Sequence, residues 1–243
     1  MTAPRVHPTA VVEKGAELAE GVVVGPYAVL GPAVRLHEGV RVGAHAVVQG
    51  DSEVGPETRL EAHAVLGGPP QDLKYGDERT RLVVGARNRI REGVTINLGT
   101  VQGGGVTRIG DDCYLMACSH VAHDCVLGDK VILANNVMLA GHVVVQDGAI
   151  LNGGVGVHHF TTIGRLSYVG GLSRITKDVP PFTIVEGHPS RVRGINIVGL
   201  RRARLTDSSV QAIKEAYRLL YRSDLPTKSA QERLKQEFAR GRR

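Results

Sequence analysis

Every sixth residue of this chain is aliphatic. From Val6 onward, Val12, Leu18, Val24, Leu30, Leu36, Val42, Val48, Val54, Leu60 and Leu66 keep the phase. It returns at Val84, Ile90 and Ile96. Shifted by one residue, it then runs without a miss through Ile109, Leu115, Val121, Leu127, Leu133, Leu139, Val145, Leu151, Val157, Ile163, Val169 and Ile175. Val, Leu and Ile number 34, 21 and 11 of 243 residues. Twelve consecutive hits then have odds on the order of one in ten million, so the pattern is a true internal repeat. A period of six fits neither the 3.6-residue helix nor simple strand alternation. It predicts a short strand, a corner and another short strand, each strand sending one aliphatic inward. Gly often follows the aliphatic, as at Gly25, Gly31, Gly43, Gly55, Gly85, Gly110, Gly128, Gly164 and Gly170. These glycines are expected to relieve corners that would strain a larger side chain.

The pattern resembles the hexapeptide-repeat family, and the resemblance implies a mainly β fold: a left-handed parallel β-helix with three hexapeptides per coil. Residues 18 apart would then stack at roughly the 4.8 Å strand spacing. An ordinary β-sandwich would not hold phase for so long. The β-helix is expected over residues 1–180, with inserted loops at about 67–83 and 97–108, and inserted loops commonly carry function. Asp178-Val179-Pro180-Pro181 should end the repeat, because proline cannot donate to a sheet ladder. Residues 181–243 form a short C-terminal α-helical domain in this reading. Val210, Ile213, Tyr217, Leu220 and Tyr221 recur at helical spacing, Thr206 or Asp207 caps the start and Pro226 closes the helix. A further helix is expected from Ala230 to Ala239, ending at Gly241.

Composition narrows the class. Aromatic residues are 4% of the chain and Trp is absent, so short aliphatics must form the core. No apolar run approaches the roughly 20 residues that span a bilayer, and the first residues lack the apolar stretch of a secretory signal. Three cysteines, Cys113, Cys118 and Cys125, without a CxxC pair argue against a disulfide scaffold and suit a reducing cytoplasm. The net charge of +6 is uneven. Residues 180–243 hold 14 basic and 6 acidic residues, and the remainder holds 16 and 18. An anionic partner near the C-terminus is one reading, and a solvated cap is the other. No nucleic-acid recognition motif is present.

Six of the ten histidines, His120, His123, His142, His158, His159 and His188, lie after residue 119. His123 and His142 are one coil plus one residue apart and should share a corner. A hexapeptide wall asks for no histidine, so such a cluster signals chemistry. Neutral imidazoles could bind a metal, or one could act as a general base. His120-Val121-Ala122-His123-Asp124-Cys125 favours the base, since Asp124 can orient His123 as a carboxylate does in hydrolase triads. No nucleophilic serine motif appears, which implies direct transfer to an acceptor hydroxyl.

At this level the chain resembles the UDP-N-acetylglucosamine O-acyltransferase family. The segments that carry the likeness are Gln71-Asp72-Leu73-Lys74-Tyr75, Arg87-Asn88-Arg89-Ile90-Arg91-Glu92, Gly99-Thr100-Val101-Gln102-Gly103-Gly104-Gly105, the His120 to Cys125 segment, Leu133-Ala134-Asn135-Asn136, Leu139-Ala140-Gly141-His142, Asp178-Val179-Pro180-Pro181 and Gly194-Ile195-Asn196-Ile197. The resemblance implies transfer of an R-3-hydroxyacyl chain from an acidic acyl carrier protein to the 3-hydroxyl of UDP-N-acetylglucosamine. This is the first step of lipid A biosynthesis, in the cytoplasm, by a homotrimer without metal or other cofactor. It assigns His123 as base, Asp124 as its partner and Gly141 N–H as oxyanion donor. It places His120, His142, His158, His159, Asp72, Lys74, Asn196 and Arg202 at the substrates, and Gly171 at the limit of acyl length. Departures are Asn97-Leu98 where His-Arg is usual, His159 for Gln, Val198 for an acid and Ala203 for Arg. A 3-amino sugar, an N-acyltransferase, a zinc enzyme like the γ-type carbonic anhydrases and a non-catalytic structural β-helix are the rival readings.

Overall fold

The computed structural model describes residues 3–240. Strands, mostly of two residues, assemble into three sheets of eleven, nine and eight strands. Up to the last coil, each strand pairs with the third strand along in sequence, so the chain winds round a triangular prism. Every pairing within the coils is parallel, as in Val24 beside Val42 and Leu127 beside Val145. The repeat aliphatics fill the interior: Leu30, Leu66, Ile90, Leu115, Leu133 and Leu151 are fully buried. Burying a side chain of this size contributes about 1.5–3 kcal/mol. Val6, at the open first coil, remains 42% exposed because no coil lies below it.

The phase behaviour has a simple origin. Register partners are 30 residues apart across the first insertion, as in Leu60 and Ile90. Across the second they are 25 apart, as in Ile90 and Leu115. Against a coil of 18, these are surpluses of 12 and 7. The first is a whole number of hexads and the second exceeds one by a single residue. Both excursions are narrower than their expected spans, because the flanking backbone is drawn into the sheets. Val65–Gly68 and Arg81–Val84 are strands, as are Thr95–Asn97 and Val106–Ile109. The second excursion contains one 3-10 turn at Val101–Gly103.

The corner glycines do a different job from the one expected. Left-handed backbone at the corners is carried mainly by other residues, including Tyr27, His45, His63, Asp124, His142 and Phe160, with φ between 57 and 62°. Gly25 and Gly43 lie ahead of those positions, where a Cβ would come within 2.9 and 2.7 Å of the next coil's backbone. They permit coil-to-coil approach.

Pro180 and Pro181 do not end the sheet. Strand Thr183–Glu186 pairs in parallel with Tyr168–Val169, and Arg191–Ile195 returns antiparallel to it. The prolines occupy a corner rather than a ladder position, so their missing N–H costs no strand hydrogen bond. Three helices follow: α1 (Ile197–Arg202), α2 (Asp207–Tyr221) and α3 (Thr227–Arg240). Thr206 caps α2 by accepting from Ser209 N. Pro226 does not close α2, which stops at Tyr221. Instead its carbonyl accepts from Ala230 N at 3.0 Å and opens α3. This suits proline, whose missing N–H is harmless ahead of the first turn. The helix expected at Ala230 therefore begins three residues earlier, and Gly241 lies outside the described residues.

Candidate active site

Both excursions leave the prism between the nine- and eight-stranded sheets, and the coils that follow place the histidine cluster on that same edge. His123, Gly141 and His159, 18 residues apart, hold the first corner position of three successive coils. Asp124, His142 and Phe160 hold the second. His120 stands on strand His120–Val121, and His158 follows Gly156–Val157. An open groove of about 660 Å³ is lined by His120, His123, Gly141, His158, His159 and Gln71 among others, while Asp124, His142, Asp72 and Lys74 lie outside its lining.

His123 and Asp124 form the centre. Nδ1 of His123 lies 2.8 Å from Asp124 Oδ2, with side chains only 8% and 1% exposed. A carboxylate accepts only, so the ring proton sits on Nδ1 and Nε2 is free to take a proton. Asp124 is gripped from the second excursion: Thr100 N donates to Oδ1 at 2.7 Å and Thr100 Oγ1 to Oδ2 at 2.6 Å. Asp124 N donates to Thr107 Oγ1 at 2.8 Å. A Cβ on Gly141 would lie 2.6 Å from His123 Nε2, so only glycine fits there. The Gly141 N–H has no acceptor among the described residues.

Two neighbouring imidazoles, His120 and His142, are made harder to protonate. Burial pushes the His120 pKa below its ordinary value, with the charge of His123 adding to the effect. Its Nδ1 lies 2.7 Å from Thr95 Oγ1. Burial likewise lowers His142, partly opposed by Asp124 and reinforced by His123, His159 and Lys74. Phe160 stacks on His142 with centroids 4.4 Å apart, and His142 meets His123 edge-on at 5.1 Å. In the first excursion, Lys74 Nζ lies 3.4 Å from Asp72 Oδ2. The Lys74 N–H bond chiefly holds the Asp72 carboxyl below the usual range, and His123 adds to this.

Other expected residues lie elsewhere in the chain. Asn196 is buried and caps α1: Oδ1 accepts from Gly199 N at 3.0 Å and Nδ2 donates to Leu166 O at 2.9 Å. Arg202 is exposed in the last turn of α1. Neither lines the groove. Gly171 sits on the far edge of the nine-stranded sheet, where an added Cβ would meet Gly153 O at 3.3 Å. Reading the sequence also passed over Thr95, Thr107 and Phe160. Their isolated letters give no signal, because only the folded coils put Thr95 and Phe160 beside histidines and Thr107 beside Asp124. A second, mostly apolar groove between α2 and the terminal hairpin, lined by Phe182, Ile213 and Tyr217 among others, holds no acid–base pair. Ligand-type atoms of His123, Asp124 and His142 do converge within 4.8 Å. Asp124 Oδ2 already accepts from both Thr100 and His123, however, so ion binding would have to break the dyad.

Residues 178–242 match the model of UDP-N-acetylglucosamine O-acyltransferase domain 2, and residues 107–141 match the six-repeat bacterial transferase hexapeptide model. The chain is 51% identical over 237 residues to the acyl-(acyl-carrier-protein)–UDP-N-acetylglucosamine O-acyltransferase of Paraburkholderia phymatum, covering 98% of this chain and 90% of that protein. It belongs to that acyltransferase family. The relative from Anaeromyxobacter sp. is 51% identical over 220 residues, covering 90% of this chain and 86% of that protein. Among solved structures, the UDP-N-acetylglucosamine acyltransferase of Campylobacter jejuni superposes with a TM-score of 0.92 at 36% identity, covering 96% of this chain and 90% of that one. The Francisella novicida enzyme gives 0.93 at 36% identity, covering 95% and 85%. The fold is thus the left-handed parallel β-helix, and the protein is an acyltransferase. No helix among the described residues is long and apolar enough to cross a membrane.

Proposed function

We propose that this enzyme transfers an R-3-hydroxyacyl chain from acyl carrier protein to the 3-hydroxyl of UDP-N-acetylglucosamine, the opening step of lipid A biosynthesis. The observation that carries the mechanism is the buried His123–Asp124 pair, whose histidine lines the groove together with Gly141. His123 Nε2 removes the hydroxyl proton while the oxygen attacks the thioester carbonyl carbon. Negative charge gathers on the carbonyl oxygen, where the Gly141 N–H donates. The C–S bond then breaks, and the departing phosphopantetheine sulfur takes the proton back from His123. Atoms and charges balance between the two substrates, so the reaction calls for no metal or other cofactor.

His120, His142, His158 and His159 hydrogen-bond the acceptor sugar in this reading, and Asp72 and Lys74 reach it from the first excursion. Asn196 and Arg202 would serve the nucleotide of a neighbouring subunit's site in a homotrimer. That arrangement accounts for their absence from the groove of their own chain, and arginine's planar fork suits a diphosphate. The acyl chain runs across the nine-stranded face toward Gly171, past Gly156, where an added Cβ meets nothing within 4 Å. The basic C-terminal region would receive the acidic carrier protein in the cytoplasm. The test is His123→Ala assayed with hydroxyacyl carrier protein and UDP-N-acetylglucosamine. Turnover is expected to vanish while the melting temperature holds, and more than a tenth of wild-type rate overturns the assignment.

A further inference from the structure

We infer that the glycine-rich excursion 98–105 is a clamp on the dyad, and that Thr100 is a positioning residue selecting which nitrogen of His123 acts as base. This deepens the acyltransferase reading and rests on it. Both oxygens of Asp124 are engaged by this one residue, Oδ1 by its N–H and Oδ2 by its hydroxyl. The hydroxyl's hydrogen has a fixed direction, because Gly103 N donates to Thr100 Oγ1 at 3.1 Å and leaves it to donate toward Asp124. A carboxylate pinned at both oxygens cannot swing. That matters here because a second imidazole is close: His142 Nε2 lies 3.7 Å from the same Oδ2. Thr100 therefore decides a competition between two histidines in favour of His123 Nδ1, leaving Nε2 free.

The clamp also explains the glycines. A Cβ on Gly103 would fall inside the Asp124 carboxylate, and one on Gly99 would strike the backbone of Gly105 and Val106. Only a bare backbone can lie so closely over the acid. The effect on solvent is visible along the corner. The Asp124 side chain is 1% exposed, whereas that of His142, one coil on at the same position, is 23% exposed. Charge-assisted hydrogen bonds of this kind are stronger than neutral ones and gain further in a dry site.

Thr100→Val removes the hydroxyl and keeps the shape. Its kcat is expected to fall roughly 10- to 100-fold, the loss expected for one hydrogen bond to a charged group, with KM for UDP-N-acetylglucosamine unchanged. Thr100→Ser should restore it. Imidazole ¹⁵N shifts of the substrate-free protein give the independent readout. His123 should carry its proton on Nδ1 in the wild type and Ser variant, and become a tautomer mixture in the Val variant. If Val at this position prevents folding, Thr100→Ala is read for the same signals. An unchanged His123 tautomer in a folded variant lacking the hydroxyl overturns the inference. A shifted tautomer in a protein inactive toward these substrates would instead sustain the clamp and sink the substrate assignment.

Discussion

Along the edge between the eleven- and nine-stranded sheets, Tyr27, His45 and His63 stack on successive coils, with centroids 5.0 and 5.1 Å apart and rings nearly parallel. Along the next edge, His142 stacks on Phe160 but meets His123 at 88°. Tyr27, His45 and His63 share with His142 and Phe160 the left-handed corner backbone and the 18-residue spacing, whereas His123 precedes that position by one residue, and the surroundings of the two edges differ. His45 and His63 are exposed, and neither makes a side-chain hydrogen bond among the described residues. His123 is buried, bonded to a carboxylate and roofed by an excursion that no coil near His45 possesses. Stacking histidines on a β-helix is thus cheap. A carboxylate at the adjoining position, and a loop to dry it, set His123 apart from such a stack and support its proposed role as a base.

That contrast breaks most sharply at Gly141. A methyl group there must displace the His123 ring. Gly141→Ala is therefore expected to lower kcat roughly 100-fold through overpacking against His123, the proposed base, with a melting temperature within a few degrees of wild type. Steady-state kinetics within tenfold of wild type would refute the close fit. A smaller effect lies in acid stability. His120 and His142 are held below the ordinary value of about 6.5 chiefly by burial. Between the unfolded and folded values, the unfolded chain binds more protons. Their contribution is complete above about pH 6.5 and is lost as pH falls through the folded values. The melting temperature should drop from pH 7 to pH 5, and His120→Gln should flatten the drop. An equal slope in the variant removes His120 from the account. The smallest change is expected at the exposed ladder. His45→Ala with His63→Ala should keep turnover within twofold and shift stability by about 1 kcal/mol or less, as denaturant titration and assay can show. A large loss of activity there would erase the distinction between the two edges.

Much of this was legible in the letters. The prism core follows from a six-residue period, and both phase breaks from insertions of 12 and 7 residues. Adjacent His123 and Asp124 were readable as a dyad because they are neighbours in the chain. Thr100 and Thr107 were not, since they reach Asp124 from 24 and 17 residues away through a loop whose path the period does not encode. The double proline misled because the period marks where a corner falls but not whether another strand follows it. Pro226 misled because proline stops one helix and starts another equally well.

The sequence by itself settled what must be inside: a periodic aliphatic residue has one way to leave water, and repetition multiplies that preference into a fold. It also named the reactive residue types. Only the tertiary structure decided which imidazole holds the carboxylate, which glycine abuts the ring and which loop seals the pair. Those contacts join residues from different coils at distances of a few ångströms. Hydrogen bonds and steric fit act at that scale, while the hydrophobic pattern that builds the coils is indifferent to it.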